Sequence, residues 1–282
     1  MLSIARKQFA QAVKLSNPTL NLAEAALYLA QEEYPNIEPD EYLNALDTMA
    51  NEVRERLPSE AYPLRIIQCI NQYLFDDLGF FGNQADYYDP ENSYFNRVLD
   101  RRTGIPITLS LVYLELARRL EFPMVGINMP GHFLIRPDID DMEVCVDPFN
   151  KGDILFPEDC RERLVNLYRQ RQAPFTDEEI VLQPDFFAPI APRRFLARML
   201  RNLKLIYLHQ DDLERALAAV DRALLVTPDD LNEQRDRGLI YYKMGDWTDA
   251  RHDLNHYRDC CPDAEDIDVI DQILDQINRQ FP

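Results

Sequence analysis

The chain has 282 residues, of which 46% are hydrophobic and 28% are charged, so it is long enough for one large globular domain or two smaller ones. Lysine and arginine number 30 against 49 aspartate and glutamate residues, which gives a formal net charge of −19. Such an acidic surface repels nucleic-acid phosphates and anionic lipids, and the composition therefore argues against both as partners.

The amino terminus and the cysteines predict a cytoplasmic protein. The first segment, MLSIARKQFAQAVKL, is amphipathic and lacks the apolar run of a signal peptide. No stretch approaches the roughly 18 apolar residues expected of a membrane span. The cysteines form no disulfide framework or zinc pattern; they are Cys69, Cys145, Cys160, Cys260 and Cys261. We therefore expect free thiols in a reducing cytoplasm, with neither a metal nor a cofactor.

Helical patterns dominate the first third of the chain. Apolar residues recur at helical spacing in NLAEAALYLAQEEYP, where Asn21 can cap the start and Pro35 stops the helix. A longer helix is predicted in PDEYLNALDTMANEVRERLP and a third in PLRIIQCINQYLFDDLGF. The aromatic loop FFGNQADYYDPENSYF follows, and we expect it to cover the core.

The pattern changes between residues 92 and 150. The segment PITLSLVYLELARRL is apolar on most sides and predicts a buried helix that begins at Pro106. FPMVGINM and FLIRP predict strands, and MEVCVDPF alternates so that Cys145 and Asp147 share one face. His132 is expected to open one strand and Asp147 to close the next. We predict a compact unit of helix and antiparallel sheet, which makes the mostly helical chain an α+β protein.

A repeat with a period of 34 residues follows a proline-rich connection that ends at Pro192. The period separates Tyr207 from Tyr241, Ala216 from Ala250, Val220 from Leu254, and Pro228 from Pro262. This period is typical of tetratricopeptide repeats, and the last helix, DIDVIDQILDQINRQF, fits the cap that a short stack requires. Two residues depart from the repeat pattern, since Lys204 replaces a usual glycine and Tyr257 a usual small residue. Tyr207 and Tyr241 are our candidates for partner contacts on the repeat surface.

From Asn21 onward the chain resembles the SirB-type family, bacterial proteins that join a transglutaminase-like domain to tetratricopeptide repeats. The resemblance is carried by NLAEAALYLAQEEYP, LDTMANEVRERL, RRTGIPITLSLVYLELARRL, GHFLIRPD and VDPFN. It implies a papain/transglutaminase-like core at about residues 92–150. We predict one domain at residues 1–190, with that core and a helical amino-terminal region, and a repeat domain at residues 191–282.

The resemblance also implies where a catalytic triad would lie. In an active core of this kind, a cysteine at the start of the buried helix attacks an amide, a histidine shuttles the proton, and an aspartate orients the imidazole. His132 and Asp147 match the histidine and the aspartate, whereas Pro106 stands at the position of the cysteine. Because proline has no nucleophilic atom, the resemblance implies a degenerate triad.

Three residues are candidates to replace the missing nucleophile. Cys145 shares the predicted face of Asp147, but on a strand it would lack a helix dipole to favour the thiolate. Thr108 and Ser110 lie within the first turns of the buried helix, where their hydroxyls can bond to backbone carbonyls. Without a nucleophile, His132 and Asp147 would form either a hydrogen-bonded pair between strands or the remains of a ligand pocket.

These observations favour a non-catalytic protein that acts as an interaction or scaffold module. It would act through its repeats, which bind a protein or peptide, and through a transglutaminase-like cleft that has lost its chemistry. The alternative is a cryptic hydrolase or transferase of the cysteine or serine/threonine type, which would use His132 and Asp147 with one of the three substitutes.

Overall fold

The computed structural model describes residues 3–14, 19–140, 142–170 and 184–280. Within these ranges the first unit contains residues 3–12 and 19–195, and the second contains residues 13–14 and 196–280. The predicted fold class is confirmed, because helices dominate and a small antiparallel sheet accompanies them. Among the helices of the described ranges, none combines the length and the hydropathy needed to cross a bilayer.

Helices form most of the first unit. In chain order they are α1 (Ile4–Ala12), α2 (Leu22–Gln31), α3 (Pro39–Arg56), α4 (Pro63–Asn71), α5 (Phe95–Arg101), α6 (Pro106–Arg119) and α7 (Pro157–Gln170). The predicted start of α2 is confirmed, since the Asn21 side chain accepts a hydrogen bond from the Glu24 amide. Proline begins α3 and α4, where a missing N–H removes no helical hydrogen bond.

Helix α6 is the centre of the first unit, as its apolar sequence predicted. Leu111, Tyr113 and Leu116 are fully buried, and α2, α3, α4 and α5 all pack against the helix. The Tyr113 hydroxyl donates to the Ile67 carbonyl at 3.2 Å and lies 3.0 Å from the Asn71 side-chain oxygen. Burial of each large apolar side chain stabilises the fold by about 1.5–3 kcal/mol, so α6 is the main anchor of this core.

Two small sheets belong to the first unit. A parallel pair joins β1 (Phe81–Gly82) to β2 (Thr103–Gly104). Four antiparallel strands, each paired with the next, are β3 (Met124–Ile127), β4 (Leu134–Pro137), β5 (Cys145–Asp147) and β6 (Asp153–Leu155). A 3-10 turn, Pro148–Asn150, connects β5 towards β6, and it packs against both α6 and β1. The end of β5 is thereby held beside the buried helix.

The second unit is a series of helices with the predicted spacing. Its helices are α8 (Pro192–His209, from residue 196 onward), α9 (Leu213–Val226), α10 (Leu231–Met244), α11 (Trp247–Cys260) and α12 (Ile267–Gln280). Consecutive helices from α9 to α12 pack against each other. A Cβ added at Gly238 of α10 would lie 2.9 Å from the Leu254 side chain of α11, so close helix packing requires the small residue here.

The two residues that depart from the repeat pattern are buried and paired. Lys204 is 3% exposed, and its Nζ lies 2.8 Å from Glu233 Oε2 and 2.6 Å from Asp236 Oδ2. Tyr257 is also 3% exposed, and its hydroxyl donates to Asp266 Oδ1 at 2.9 Å. Specific polar contacts therefore replace the packing of small residues at these two positions.

Candidate functional site

The predicted nucleophile position lies in the first turn of α6. Pro106 is the first helical residue, and the Ile105 N–H donates to Thr108 Oγ1 at 3.1 Å. The Thr108 hydroxyl in turn donates to the Asn92 carbonyl at 2.7 Å. Proline thus occupies the position where it suits a helix best, and the threonine oxygen satisfies the backbone at the same end.

Asp147 is 2% exposed, and its carboxylate organises the turn that follows β5. Its Oδ1 accepts from the backbone N–H groups of Phe149 at 3.1 Å and Asn150 at 3.3 Å. Its Oδ2 accepts from the Asn150 side chain at 2.8 Å and from the Arg163 guanidinium. The carboxylate therefore has four donors, two from the backbone and two from side chains.

Arg163 of α7 is the charged neighbour of both predicted triad residues. It pairs with Asp147, and its guanidinium also lies 3.8 Å from the exposed carboxylate of Asp153. The half-buried His132 has its pKa lowered, first by burial and then by the positive charge of Arg163, while Asp147 acts in the opposite direction. In the described part of the chain, Asp147 accepts from Arg163 and Asn150 and not from the His132 ring.

Replacing Arg163 with glutamine is expected to raise the pKa of His132. The substitution removes the positive charge that disfavours the imidazolium, and it leaves the Asp147 charge uncompensated near the ring. The measurement is an NMR titration of the His132 ring protons in the folded protein. The control is Asp153→Asn, because this carboxylate is 61% exposed and contributes little through solvent. A His132 pKa that is unchanged or lowered in Arg163→Gln would contradict this assignment of charges.

His132 lies in a turn before β4, so the prediction that it opens a strand is wrong. Its N–H donates to the Met129 carbonyl at 3.0 Å, and Gly131 has a positive φ of 75°. Strand pairing begins only where Leu134 faces Ile127. A Cβ at Gly131 would lie 2.6 Å from the Leu167 side chain, so the turn approaches α7 closely. This approach explains why His132 senses Arg163 of the same helix.

Within the described ranges, none of the three substitute nucleophiles forms a hydrogen bond with the His132 ring. The Thr108 hydroxyl is bonded to Asn92, and Cys145 packs in one apolar cluster with Cys160. Ser110 is fully buried, and its hydroxyl has no hydrogen-bond partner among the described residues. The neighbouring Cys160 thiol and burial both raise the pKa of Cys145, so this thiol stays neutral.

The two tyrosines predicted on the repeat surface differ in their exposure. Tyr207 is 4% exposed, and its ring lies 5.8 Å from the Arg215 guanidinium. Its predicted surface position is therefore wrong, because the ring packs within the second unit. Tyr241 is partly buried, and burial raises the pKa of its hydroxyl. The role of Tyr241 in partner binding stays a prediction.

The sequence reasoning missed Asn150, Cys160 and Arg163. Cys160 and Arg163 are three residues apart in the predicted helix DCRERLVNLYRQR and thus share a face, which was an available signal. The segment Asp-Pro-Phe-Asn after β5 also has the composition of a turn in which aspartate accepts from later backbone groups. Within the described ranges, no group of three or more histidine, cysteine, aspartate or glutamate residues is placed to hold a metal ion.

Comparison with known proteins agrees with this architecture. The model of the transglutaminase-like superfamily matches residues 40–201, and a tetratricopeptide repeat model matches residues 203–275. A UPF0162 protein of Xylella fastidiosa (strain 9a5c) is 38% identical, over 91% of this chain and 89% of the relative. A UPF0162 protein of Pseudomonas aeruginosa is 31% identical, over 83% of this chain and 82% of the relative.

A further likeness covers part of the chain. F-box only protein 21 of Mus musculus is 31% identical over 66% of this chain, which corresponds to 29% of that protein. No solved structure matches the chain. The domain match and the relatives that align over most of their length establish that the chain belongs to the transglutaminase-like superfamily and, within it, to the UPF0162 proteins.

Proposed function

We propose that this protein is a non-catalytic interaction module, in which a transglutaminase-like domain without a nucleophile accompanies repeats that bind a protein or peptide. The observation that carries the proposal is the engagement of Asp147 by Arg163 and by the turn. An aspartate that serves a catalytic histidine must hydrogen-bond to its ring and fix the tautomer. Here the same carboxylate stabilises the connection between β5 and α7.

The charges around His132 support the same proposal. A proton-shuttling histidine must become an imidazolium during the reaction, and a neighbouring aspartate stabilises that cation. Arg163 does the opposite, since its charge lowers the pKa of His132 and neutralises Asp147. With Pro106 at the start of α6, there is no thiolate to pair with the imidazolium either.

The repeats supply the interaction part of the proposal. Stacked tetratricopeptide helices commonly bind protein segments along one face. Residues 196–280 contain 18 acidic and 11 basic side chains, so the second unit favours a partner segment that is basic. We assign residues 1–190 to the degenerate domain and residues 191–282 to the partner-binding repeats.

Two finer assignments complete the proposal. We place the protein in the reducing cytoplasm, which is supported by five cysteines that are all free. We also assign it to the SirB-type proteins, on the strength of the segments GHFLIRPD and VDPFN.

The catalytic part is tested with the purified chain and a panel of glutamine-containing peptides, with an amine or water as the acceptor. We expect no transamidation, deamidation or peptide cleavage by the wild type, and the same result for His132→Ala. Turnover by the wild type that disappears in His132→Ala would overturn the proposal and support the cryptic hydrolase or transferase.

The interaction part is tested in cross-linking pull-downs with three baits, which are the wild type, His132→Ala and Gly238→Leu. Wild type and His132→Ala are expected to capture the same proteins. Gly238→Leu is expected to lose them, because its side chain would displace Leu254 and separate α10 from α11. Equal capture by all three baits would contradict a role for the repeats.

A further inference from the structure

A positively charged side chain lies on the apolar face of the four-stranded sheet. The antiparallel register of β4 and β5 places Arg136 beside Cys145. Alternation along the strands puts both residues on the face that also carries Leu134 and Leu155. These two leucines and Cys145 belong to one buried apolar cluster. Arg136 therefore places a guanidinium at the border of an apolar core.

The guanidinium of Arg136 is held in place, but its charge has no close partner. Its Nε donates to the Phe187 carbonyl at 3.2 Å, and its Nη1 donates to the Pro137 carbonyl at 3.0 Å. Its ion pair with Asp138 is long, at 3.8 Å, and that carboxylate is 56% exposed. In the described part of the chain, nothing accepts a hydrogen bond from Nη2. Because the Arg136 side chain is only 24% exposed, it has lost much of its hydration, and an anion is the partner that would compensate this loss.

Arg136 forms part of the wall of a cavity of about 510 Å³. This volume falls within the range of roughly 300–1,000 Å³ that is usual for small-molecule sites. Most of the wall is apolar, and its side chains include Met142, Val144, Phe187 and Pro189. The second charged residue of the wall is Glu143, which is exposed to solvent. Neither His132 nor Asp147 lines the cavity, so it differs from a cleft built on the predicted triad.

We propose that this cavity binds a small monocarboxylate with an apolar body, such as an arylalkanoate or a medium-chain fatty acid. The Nη2 group of Arg136 donates to the carboxylate, and the apolar wall covers the hydrocarbon part of the ligand. Two backbone carbonyls already fix the guanidinium, so its side chain loses little conformational entropy when the ligand binds.

The charges of the wall select a ligand with a single negative charge. Arg136 supplies one positive charge, and Glu143 repels any further negative charge on the ligand. A phosphate monoester carries close to two negative charges at neutral pH, and its three oxygens need more donors than one guanidinium supplies. A neutral ligand of the same shape would leave the charge of Arg136 without a partner. The cavity therefore favours a carboxylate over both alternatives.

The test measures binding to the full chain by isothermal titration calorimetry and by NMR of the protein backbone amides. The probes are 3-phenylpropionate, 4-phenylbutyrate and octanoate, each compared with its neutral primary amide. We expect the wild type to bind at least one of the carboxylates, about tenfold or more tightly than its amide, because only the carboxylate forms a charged hydrogen bond with Arg136. The amide resonances of residues 142–145 and 187–188 should shift, since these residues line the cavity.

Three variants locate the site. Arg136→Met is expected to weaken carboxylate binding about tenfold and to leave amide binding unchanged, because it removes the charge and keeps an apolar wall. Ala188→Trp is expected to abolish the binding of both, because its ring fills space that the ligand needs. Arg118→Met is the matched control, since it removes the same charge from a side chain that is 60% exposed and does not line the cavity.

The wild-type protein alone can overturn the proposal, even where a variant does not fold. It does so if none of the three carboxylates binds, if each amide binds as tightly as its carboxylate, or if the shifted resonances lie away from the cavity. An equal loss of carboxylate binding in Arg118→Met and in folded Arg136→Met would also overturn it, because the net charge of the protein would then control binding.

Discussion

Asp147→Ala is expected to destabilise the first unit by about 3–5 kcal/mol, because it leaves a partly buried arginine and two backbone N–H groups without their acceptor. The Asp147 side chain is 3% exposed against 22% for Arg163, so water cannot easily replace the lost carboxylate. The turn at Pro148–Asn150 would lose its cap, and this turn is what holds the end of β5 against α6 and β1.

The measurement is urea unfolding of the full chain followed by far-ultraviolet circular dichroism. Trp247, the single tryptophan, lies in α11 and reports the second unit separately by fluorescence. In Asp147→Ala, the part of the circular dichroism transition that does not coincide with the Trp247 transition should move to lower urea, while the Trp247 transition stays in place. Asp153→Ala is the matched control and is expected to change stability by about 0.5 kcal/mol or less, since its exposed carboxylate forms only a long contact with Arg163. Equal effects of the two substitutions would refute a structural role specific to Asp147.

The helices and the repeat could be predicted because their signals are local or periodic. Apolar residues on nearly every face of α6 predict that this helix is buried. The capping side chain of Asn21 predicts the start of α2. The repeat pattern also predicts a small residue at Gly238, the position that Lys204 occupies in the first repeat, and at Gly238 the helices α10 and α11 do pack closely.

The site could be predicted only in part, because its decisive contacts join distant elements. The sequence and the family resemblance single out His132 and Asp147. They do not predict which donor forms a hydrogen bond with the Asp147 carboxylate. Arg163 bonds to the carboxylate from α7, and Cys160 of the same helix packs in one apolar cluster with Cys145. Hydrophobic periodicity places a helix near a sheet, yet the partner of a single polar atom depends on the docking angle of that helix.

The same limit explains why the repeat pattern predicts the wrong exposure for Tyr207. The period of the repeat identifies equivalent positions, but it does not determine how much of each side chain is exposed. Tyr207 lies beside the Arg215 guanidinium and is 4% exposed, whereas Tyr241 is only partly buried. Equivalence within a repeat therefore predicts the backbone more reliably than it predicts what a side chain contacts.

Lys204→Met is expected to destabilise the second unit by about 3 kcal/mol, since it leaves the carboxylate of Glu233 buried beside an apolar side chain. Glu233 is 1% exposed, and its other oxygen retains Arg201 at 3.0 Å. Arg201 is half exposed, so it offsets only part of the loss. Asp236 keeps a second partner, Arg235 at 2.8 Å, and contributes less to the effect.

The double variant Lys204→Met with Glu233→Met distinguishes the loss of an ion pair from the loss of packing. Because it removes both buried charges and keeps the volume, we expect its stability within about 1 kcal/mol of the wild type. Trp247 fluorescence during urea unfolding measures all the variants, and the coupling free energy follows from the double-mutant cycle. Arg258→Ala is the exposed control and should shift stability by about 0.5 kcal/mol or less, as its contacts to Asp259 lie in solvent. A double variant as unstable as the sum of the single ones would mean that Lys204 acts through packing, and the buried charges would then not be what holds α8 to α10.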